Sequence, residues 1–250
     1  MSVSGTVAVC GRFVQLGIAF LGEYAGTVAE RASQAARVPP GRHSLPREFV
    51  AQHQRARIIE GLAEEIEEKG YRAVTVADIV RRAGVARNTF YDHFSSKEDC
   101  FLAASEYAVA EALRRVQEAA ADVAGWPAQV NAGLAAFLGY VAEQPALARA
   151  CIVEALAAGP AAAERHELSI QAFVPFFRTG RELSPAGDEL PETLEETIVG
   201  GIFWIVHQRI VTGQVGGIEE VLPELVEFAL TPYIGAAAAK QVAGEPSPAN

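Results

Sequence analysis

Arg87-Asn-Thr-Phe-Tyr-Asp-His-Phe94 gathers a guanidinium, a carboxamide, a hydroxyl, a phenol and an imidazole in one short polar stretch. These groups suit hydrogen-bonded recognition better than covalent chemistry. On a helix, Arg87 can pair bidentately with guanine and Asn88 with adenine, while the Thr89 methyl can touch thymine. Phe90 falls on the opposite side from Arg87 and Asn88 and should anchor the helix inward. Tyr91 offers a flat body with a hydroxyl at phosphate distance, and His93 adds a donor. Phe94 would close a small core. Ser95 and Ser96 then open another helix, whose free N–H groups and dipole favour a phosphate, with the charge of Lys97 beside them. The chemistry expected is recognition of double-stranded DNA. Arg87, Asn88 and Thr89 are the candidate base contacts. Thr75, Tyr91, His93 and Lys97 are the candidate phosphate contacts.

Elements that could hold those groups are readable on both sides. Ile58, Ile59, Leu62, Ala63 and Ile66 share one helical face, opposite Glu60, Glu64, Glu67 and Glu68, and Gly70 stops that helix. Thr75-Val-Ala-Asp78 forms a capping box that opens a second helix, with Val76, Ile79, Val80 and Ala83 turned inward. Gly84 supplies a left-handed turn, so a third short helix can begin at once, over about Ala86 to His93. Ser95-Ser-Lys-Glu98 reads as a second capping box, at the head of a long fourth helix towards Val123. Two short helices joined by a tight glycine turn, with basic residues on the second, form a helix-turn-helix.

At these residues the sequence resembles the TetR family of bacterial transcriptional repressors. The match runs through Arg55-Ala-Arg57-Ile, Tyr71, Thr75-Val-Ala-Asp-Ile79, Ala83-Gly-Val85, Thr89-Phe-Tyr91, His93-Phe94 and Lys97-Glu98. The lead-in Gly41-Arg-His-Ser-Leu-Pro-Arg47 is similar to a basic arm of actinobacterial members. Arg42 and Arg47 could follow a minor groove or be exposed linker residues. One position departs from the family. Ala86 replaces the usual serine, which removes a helix cap worth about 1 kcal/mol and one phosphate contact. The resemblance implies an all-α homodimer with a ligand cavity in its body, and an interface built by its eighth and ninth helices. The function implied is repression at a palindromic operator, relieved by a small molecule.

The rest of the chain reads as a helical body. Trp126-Pro127 starts a fifth helix to Glu143, and Pro145 a sixth to about Leu156. Gly159-Pro160 precedes a seventh, bent at Pro175 and ending near Gly180. Residues 181–191 read as a loop, 194–213 as the eighth helix and 218–233 as the ninth. The expected architecture is all-α with about nine helices. Residues 1–45 form a flexible extension, 46–95 the helix-turn-helix domain, 96–236 the effector-binding and dimerisation domain, and 237–250 a flexible tail. Phe137, Tyr140, Cys151, Phe173, Phe177 and Trp204 are candidate cavity residues, although aromatics at helical spacing are more often core. Ile202, Ile205, Leu222 and Val226 are candidate dimer contacts.

Charge and composition set limits. Residues 41–100 carry ten basic and ten acidic groups, and residues 101–250 carry eight against nineteen. Within 70–97, however, Arg72, Arg81, Arg82, Arg87 and Lys97 face only Asp78 and Asp92, and a locally basic element on an acidic body suits a protein that docks one face on a polyanion. The same acidity favours an apolar or weakly cationic effector over an anion. Cys10, Cys100 and Cys151 match no metal spacing and read as free thiols of a reducing cytoplasm. Val7–Leu21 is interrupted by Arg12 and Gln15, which makes it a poor signal peptide and too short a membrane span. No motif assigns a catalytic residue, metal or cofactor. The competing reading is an enzyme or small-molecule-binding protein whose three-helix head is only scaffold. It leaves unexplained why Arg87, Asn88 and Tyr91 share one side of the third helix.

Overall fold

Each early stop signal in the sequence becomes a helix end in the computed structural model, which describes residues 47–245. The extension with Cys10, Val7–Leu21 and Arg42 lies outside the described residues. Helix α1 (Arg47–Lys69) buries Ile58, Ile59, Leu62, Ala63 and Ile66. It ends at Gly70, whose φ of 75° favours glycine. After a 3-10 turn over Tyr71–Ala73, α2 (Val76–Ala83) opens on the Thr75–Asp78 capping box. The Asp78 N–H donates to Thr75 Oγ1 at 3.3 Å, and the Thr75 N–H donates to Asp78 Oδ2 at 3.0 Å. Gly84 is left-handed, at φ 62° and ψ 39°, and α3 (Arg87–His93) follows. Its N-cap is Ala86, without a side-chain hydrogen bond.

Helix α4 (Lys97–Ala121) is capped one residue later than expected. Ser96 Oγ accepts the Asp99 N–H at 3.0 Å, and the Asp99 carboxylate reaches back to the Ser95 N–H at 2.7 Å. Asp99, not Glu98, closes this cap. Helix α5 (Trp126–Glu143) packs along α4. Helix α6 (Pro145–Ala148) runs into a π-type turn, Arg149–Val153, and a 3-10 turn, Ala155–Ala158.

The expected seventh helix is two helices, α7 (Pro160–Gln171) and α8 (Val174–Leu183). Pro175 lies in the first turn of α8, where its missing N–H costs nothing. Helix α9 (Leu194–Val211) is followed by a 3-10 segment, Val215–Val221, and by α10 (Leu222–Ile234). The tail expected from residue 237 is corrected: Ala236–Gly244 forms α11, with Ala239 fully buried. Asn131 Nδ2 donates to the carbonyls of Val242 at 3.2 Å and Glu245 at 3.3 Å, which fixes the end of α11 on α5.

One apolar core runs from Ile58 through α4 and α5 to Ala239. Inside the body, buried Glu195 accepts from Arg181 Nε at 2.7 Å and from the Tyr233 hydroxyl at 2.9 Å. Burial raises its pKa, but these two hydrogen bonds outweigh burial and hold the carboxyl below its ordinary range. The network joins α8, α9 and α10.

Candidate nucleic-acid interface and effector cavity

Helix α3 is anchored by Phe90, which is fully buried between Tyr91 and Phe94, with ring centroids 5.4 and 5.7 Å away. That anchor turns Arg87 and Asn88 to solvent, with Thr89 half-buried beside them. Tyr91 is 48% exposed, and Arg87 Nη2 lies 3.4 Å from its hydroxyl, with the guanidinium carbon 5.8 Å from its ring. Arg87, Asn88 and Tyr91 are therefore the outward set, in a head whose Phe90 and Phe94 are buried.

The other candidate phosphate contacts are held differently. Thr75 is exposed, and its hydroxyl donates to Asp78 Oδ2 at 2.6 Å within the cap. His93 is half-buried, its Nε2 3.5 Å from Gln54 Oε1 on α1. Burial, then the nearby Arg55 charge, lowers its pKa. The imidazole thus faces α1, with Nε2 beside the Gln54 carboxamide. Lys97 Nζ donates to the carbonyls of Tyr71 and Val74, each at 2.8 Å, and sits 4.1 Å from the Tyr71 ring. Two of its three N–H donors are taken internally, which leaves one for a phosphate.

Charge counting along the sequence overstates the free positive charge of the head. Arg82 Nε is 2.9 Å from Glu65, and Arg81 Nη2 is 2.9 Å from Asp78. Arg72, in the turn before Thr75, and Arg57, whose Nη2 donates to the Gly84 carbonyl at 3.4 Å, are exposed. Neither was assigned a contact from sequence, because their distance from α3 along the chain hides their place on the head.

A cavity lies between α4, α5, the π-type turn, α7 and α9. Its volume is about 50 Å³. Of the candidate cavity residues, Phe137, Tyr140, Cys151 and Phe173 line it. Phe177 lines a smaller neighbouring cavity instead. Trp204 is corrected: it is 60% exposed, stacked on the His207 ring at 5.7 Å, and lines neither cavity. Ser105 and Ala108 on α4, and Ser169 on α7, were missed. Their signal was a run of small residues at helical spacing, which by itself marks only close packing. Burial pushes the Cys151 thiol up to about 12, so it meets the cavity as a neutral wall. Among the described residues, no group of His, Cys, Asp and Glu could hold a metal ion.

The expected dimer contacts divide. Ile202 and Val226 are 3% and 0% exposed, and both belong to the core. This corrects their assignment: Ile198, Ile202, Val206 and Ile210 follow the inward stripe of α9. Leu222 is half-buried. Ile205 faces out at 38%, with Trp204, Val211 and Phe228 also exposed. Phe228 of α10 reaches across α9 at Gly201, where an added Cβ would stand 3.1 Å from its ring.

Residues 58–104 match the sequence model of bacterial regulatory proteins of the tetR family. YerO, an uncharacterized HTH-type transcriptional regulator of Bacillus subtilis (strain 168), is 34% identical over 71 residues, 28% of this chain. The aligned stretch spans 25% of YerO's own length. The fold is similar to that of the fatty acid degradation regulator FadR from Bacillus halodurans. That likeness has a TM-score of 0.66 at 16% identity, over 73% of this chain and 97% of that one. It is also similar to the transcriptional regulator FadR from Bacillus subtilis, solved in complex with stearoyl-CoA. There the TM-score is 0.62 at 19% identity, over 70% of this chain and 97% of that one. At these identities the structural likeness is one of fold.

Proposed function

From the match of residues 58–104 to the tetR family of bacterial regulatory proteins, we propose that this chain is a ligand-responsive, DNA-binding transcriptional regulator of that family. The observation that carries this reading is the outward set of Arg87, Asn88 and Tyr91 on a helix pinned by buried Phe90. In the proposed complex α3 lies in the major groove. Arg87, Asn88 and Thr89 read base edges, while Tyr91, the Thr75 end of α2 and the third N–H of Lys97 meet phosphates.

The active form is a homodimer on a palindromic operator, with half-sites about 34–36 Å apart. Its interface is the exposed face of α9 and α10 around Trp204, Ile205 and Phe228. The body cavity holds an effector that releases the DNA, and no enzymatic step is involved. The stearoyl-CoA complex of the similarly folded FadR from Bacillus subtilis supports an effector-responsive regulator. No helix among the described residues is long and apolar enough to cross a membrane; the place proposed for a regulator of bacterial operators is the cytoplasm.

Selection of genomic fragments by the purified protein tests the reading, followed by titration of the recovered and scrambled duplexes. A palindromic site bound in strong preference to the scrambled duplex is expected. Equal affinity for both duplexes at every salt concentration would reject the regulator.

A further inference from the structure

The two cavities of the body meet at three phenylalanine rings. Phe137 on α5, Phe173 between α7 and α8, and Phe203 on α9 form a triangle with every pair of ring centroids 5.7 Å apart. All three rings line both cavities. On one side of this septum stand Ser105, Tyr140, Cys151, His166 and Ser169. On the other stand Val116, Gly133, Leu134, Val199 and Ile202, which offer only hydrocarbon. A rotamer change of one ring, a motion that packed interiors allow, would join the two spaces into one slot with a polar end and an apolar end.

One buried side-chain atom at the polar end lacks a partner among the described residues. Ser105 Oγ donates to the Phe101 carbonyl at 3.1 Å, and Ser169 Oγ donates to the Arg165 carbonyl at 2.7 Å. The Tyr140 hydroxyl has no hydrogen-bond partner among the described residues, although the residue is only 7% exposed. An unpaired buried hydroxyl carries a desolvation cost that a ligand atom would relieve. Burial raises its pKa, so it stays a donor at neutral pH.

Charge narrows the ligand. Among the described residues, no Asp, Glu, Lys or Arg lines either cavity, and burial lowers the pKa of His166, which keeps it neutral. Arg115 lies 4.8 Å from the Tyr140 ring, but Glu111 and Glu143 pair with it at 2.8 and 2.6 Å. A cationic head would meet a guanidinium, and an anionic head would meet one already neutralised. Either ion would lose its hydration without recovering it.

Resting on the effector reading of this body, we propose that the effector is a neutral amphiphile, with one small hydrogen-bonding head and a long unbranched apolar tail. The head accepts from the Tyr140 hydroxyl. The tail passes the Phe137–Phe173–Phe203 septum and fills the hydrocarbon end against Gly133 and Val116. The ligand displaces rings as it enters, because the two cavities have volumes of only about 50 and 20 Å³.

The test uses the full chain and calorimetric titration with hexanol, dodecanol, dodecanoate and dodecylammonium at neutral pH. Dodecanol should bind best, with affinity rising about fourfold per added methylene until the slot is full. Both ions should bind at least about tenfold more weakly. Tyr140→Phe should weaken dodecanol about fivefold without lowering the melting temperature of the free protein, because the lost hydroxyl has no partner. Gly133→Val should leave hexanol unchanged and remove the gain on lengthening, since an added Cβ there already stands 2.8 Å from Phe176 Cζ. If that variant does not fold, Val116→Phe narrows the same end from α4.

Equal binding of the three head groups would overturn the neutral head, and affinity independent of chain length would overturn the tail slot. A protein that binds operator but none of the four probes overturns this inference and leaves the DNA reading intact. A protein that binds dodecanol as described but no DNA supports the ligand class and sinks the regulator.

Discussion

Arg87 and Lys97 stand only ten residues apart, and the structure gives them different surroundings. Arg87 is exposed beside Tyr91, so its truncation should act on sequence preference. Arg87→Ala is expected to cost about 1–3 kcal/mol at one base pair of each half-site and little on scrambled DNA. Titrations of both duplexes would show it, and equal losses on the two would contradict a base contact. Lys97 holds two carbonyls of the 71–74 turn. Lys97→Ala should therefore destabilise the fold by about 1–3 kcal/mol and also lower the salt slope by about one unit. Thermal unfolding and salt titration separate the two effects; a lowered melting temperature with an unchanged slope would leave Lys97 a structural role alone. His93 and His166 both have pKa values lowered by burial. The unfolded chain then binds more protons than the folded one between the lowered values and the ordinary one. Stability should be intact above about pH 6.5 and fall as pH drops through that value towards the folded pKa values. Replacing both rings with glutamine should flatten that part of a melting-temperature profile.

At the scale of elements, the junction of α1, α4 and the π-type turn deserves a measurement, because it joins the cavity wall to the reading head. Cys151 and Ile152 of that turn line the cavity, and the next-but-one residue, Glu154, accepts the Tyr71 N–H at 3.2 Å. Tyr71 is also the ring over which Lys97 of α4 sits, and Val74 leads directly into the Thr75 cap of α2. A ligand that displaces the π-type turn would therefore act on the head by two routes, the length of α4 and the Glu154–Tyr71 contact. A tenfold loss of operator affinity needs about 1.4 kcal/mol of coupling. Glu154→Leu should leave operator affinity without ligand nearly unchanged and shrink the ligand-induced loss. Because coupling is reciprocal, operator should also change ligand affinity less in the variant. Measuring the four affinities decides it, and full coupling in Glu154→Leu would remove this contact from the route.

For the whole molecule, the outward residues of α9 and α10 set the prediction about assembly. Trp204, Ile205, Val211 and Phe228 lie exposed on one side of the core, and a symmetric pair of such faces would bury them against each other. Ile205→Glu with Phe228→Glu should yield a folded monomer that holds operator weakly, since one head meets few phosphates. Ile202→Glu should instead unfold the body, because that side chain is in the core. Light scattering and thermal melting distinguish these outcomes, and a stable monomer of the unmutated protein would refute the dimer.

What the sequence determined by itself is local. The all-helical architecture, the Thr75–Asp78 box, the Gly84 turn and the inward Phe90 follow from periodicity, capping and left-handed conformation. These interactions close within a few residues and do not depend on distant parts of the chain. Tertiary structure decided matters in which several faces competed for one core. Helix α9 is apolar on more than one side, so its sequence could not say that Ile202 turns in while Trp204 and Ile205 turn out. The C-terminal end of α11 rests on Asn131, more than a hundred residues earlier, which a composition rich in alanine and glycine cannot announce. Lys97 read as a free charge until the fold brought two carbonyls to it. The cavity arises because Ser105, Ala108 and Ser169 leave space that three phenylalanines only partly fill. Space between elements has no signature along any one of them.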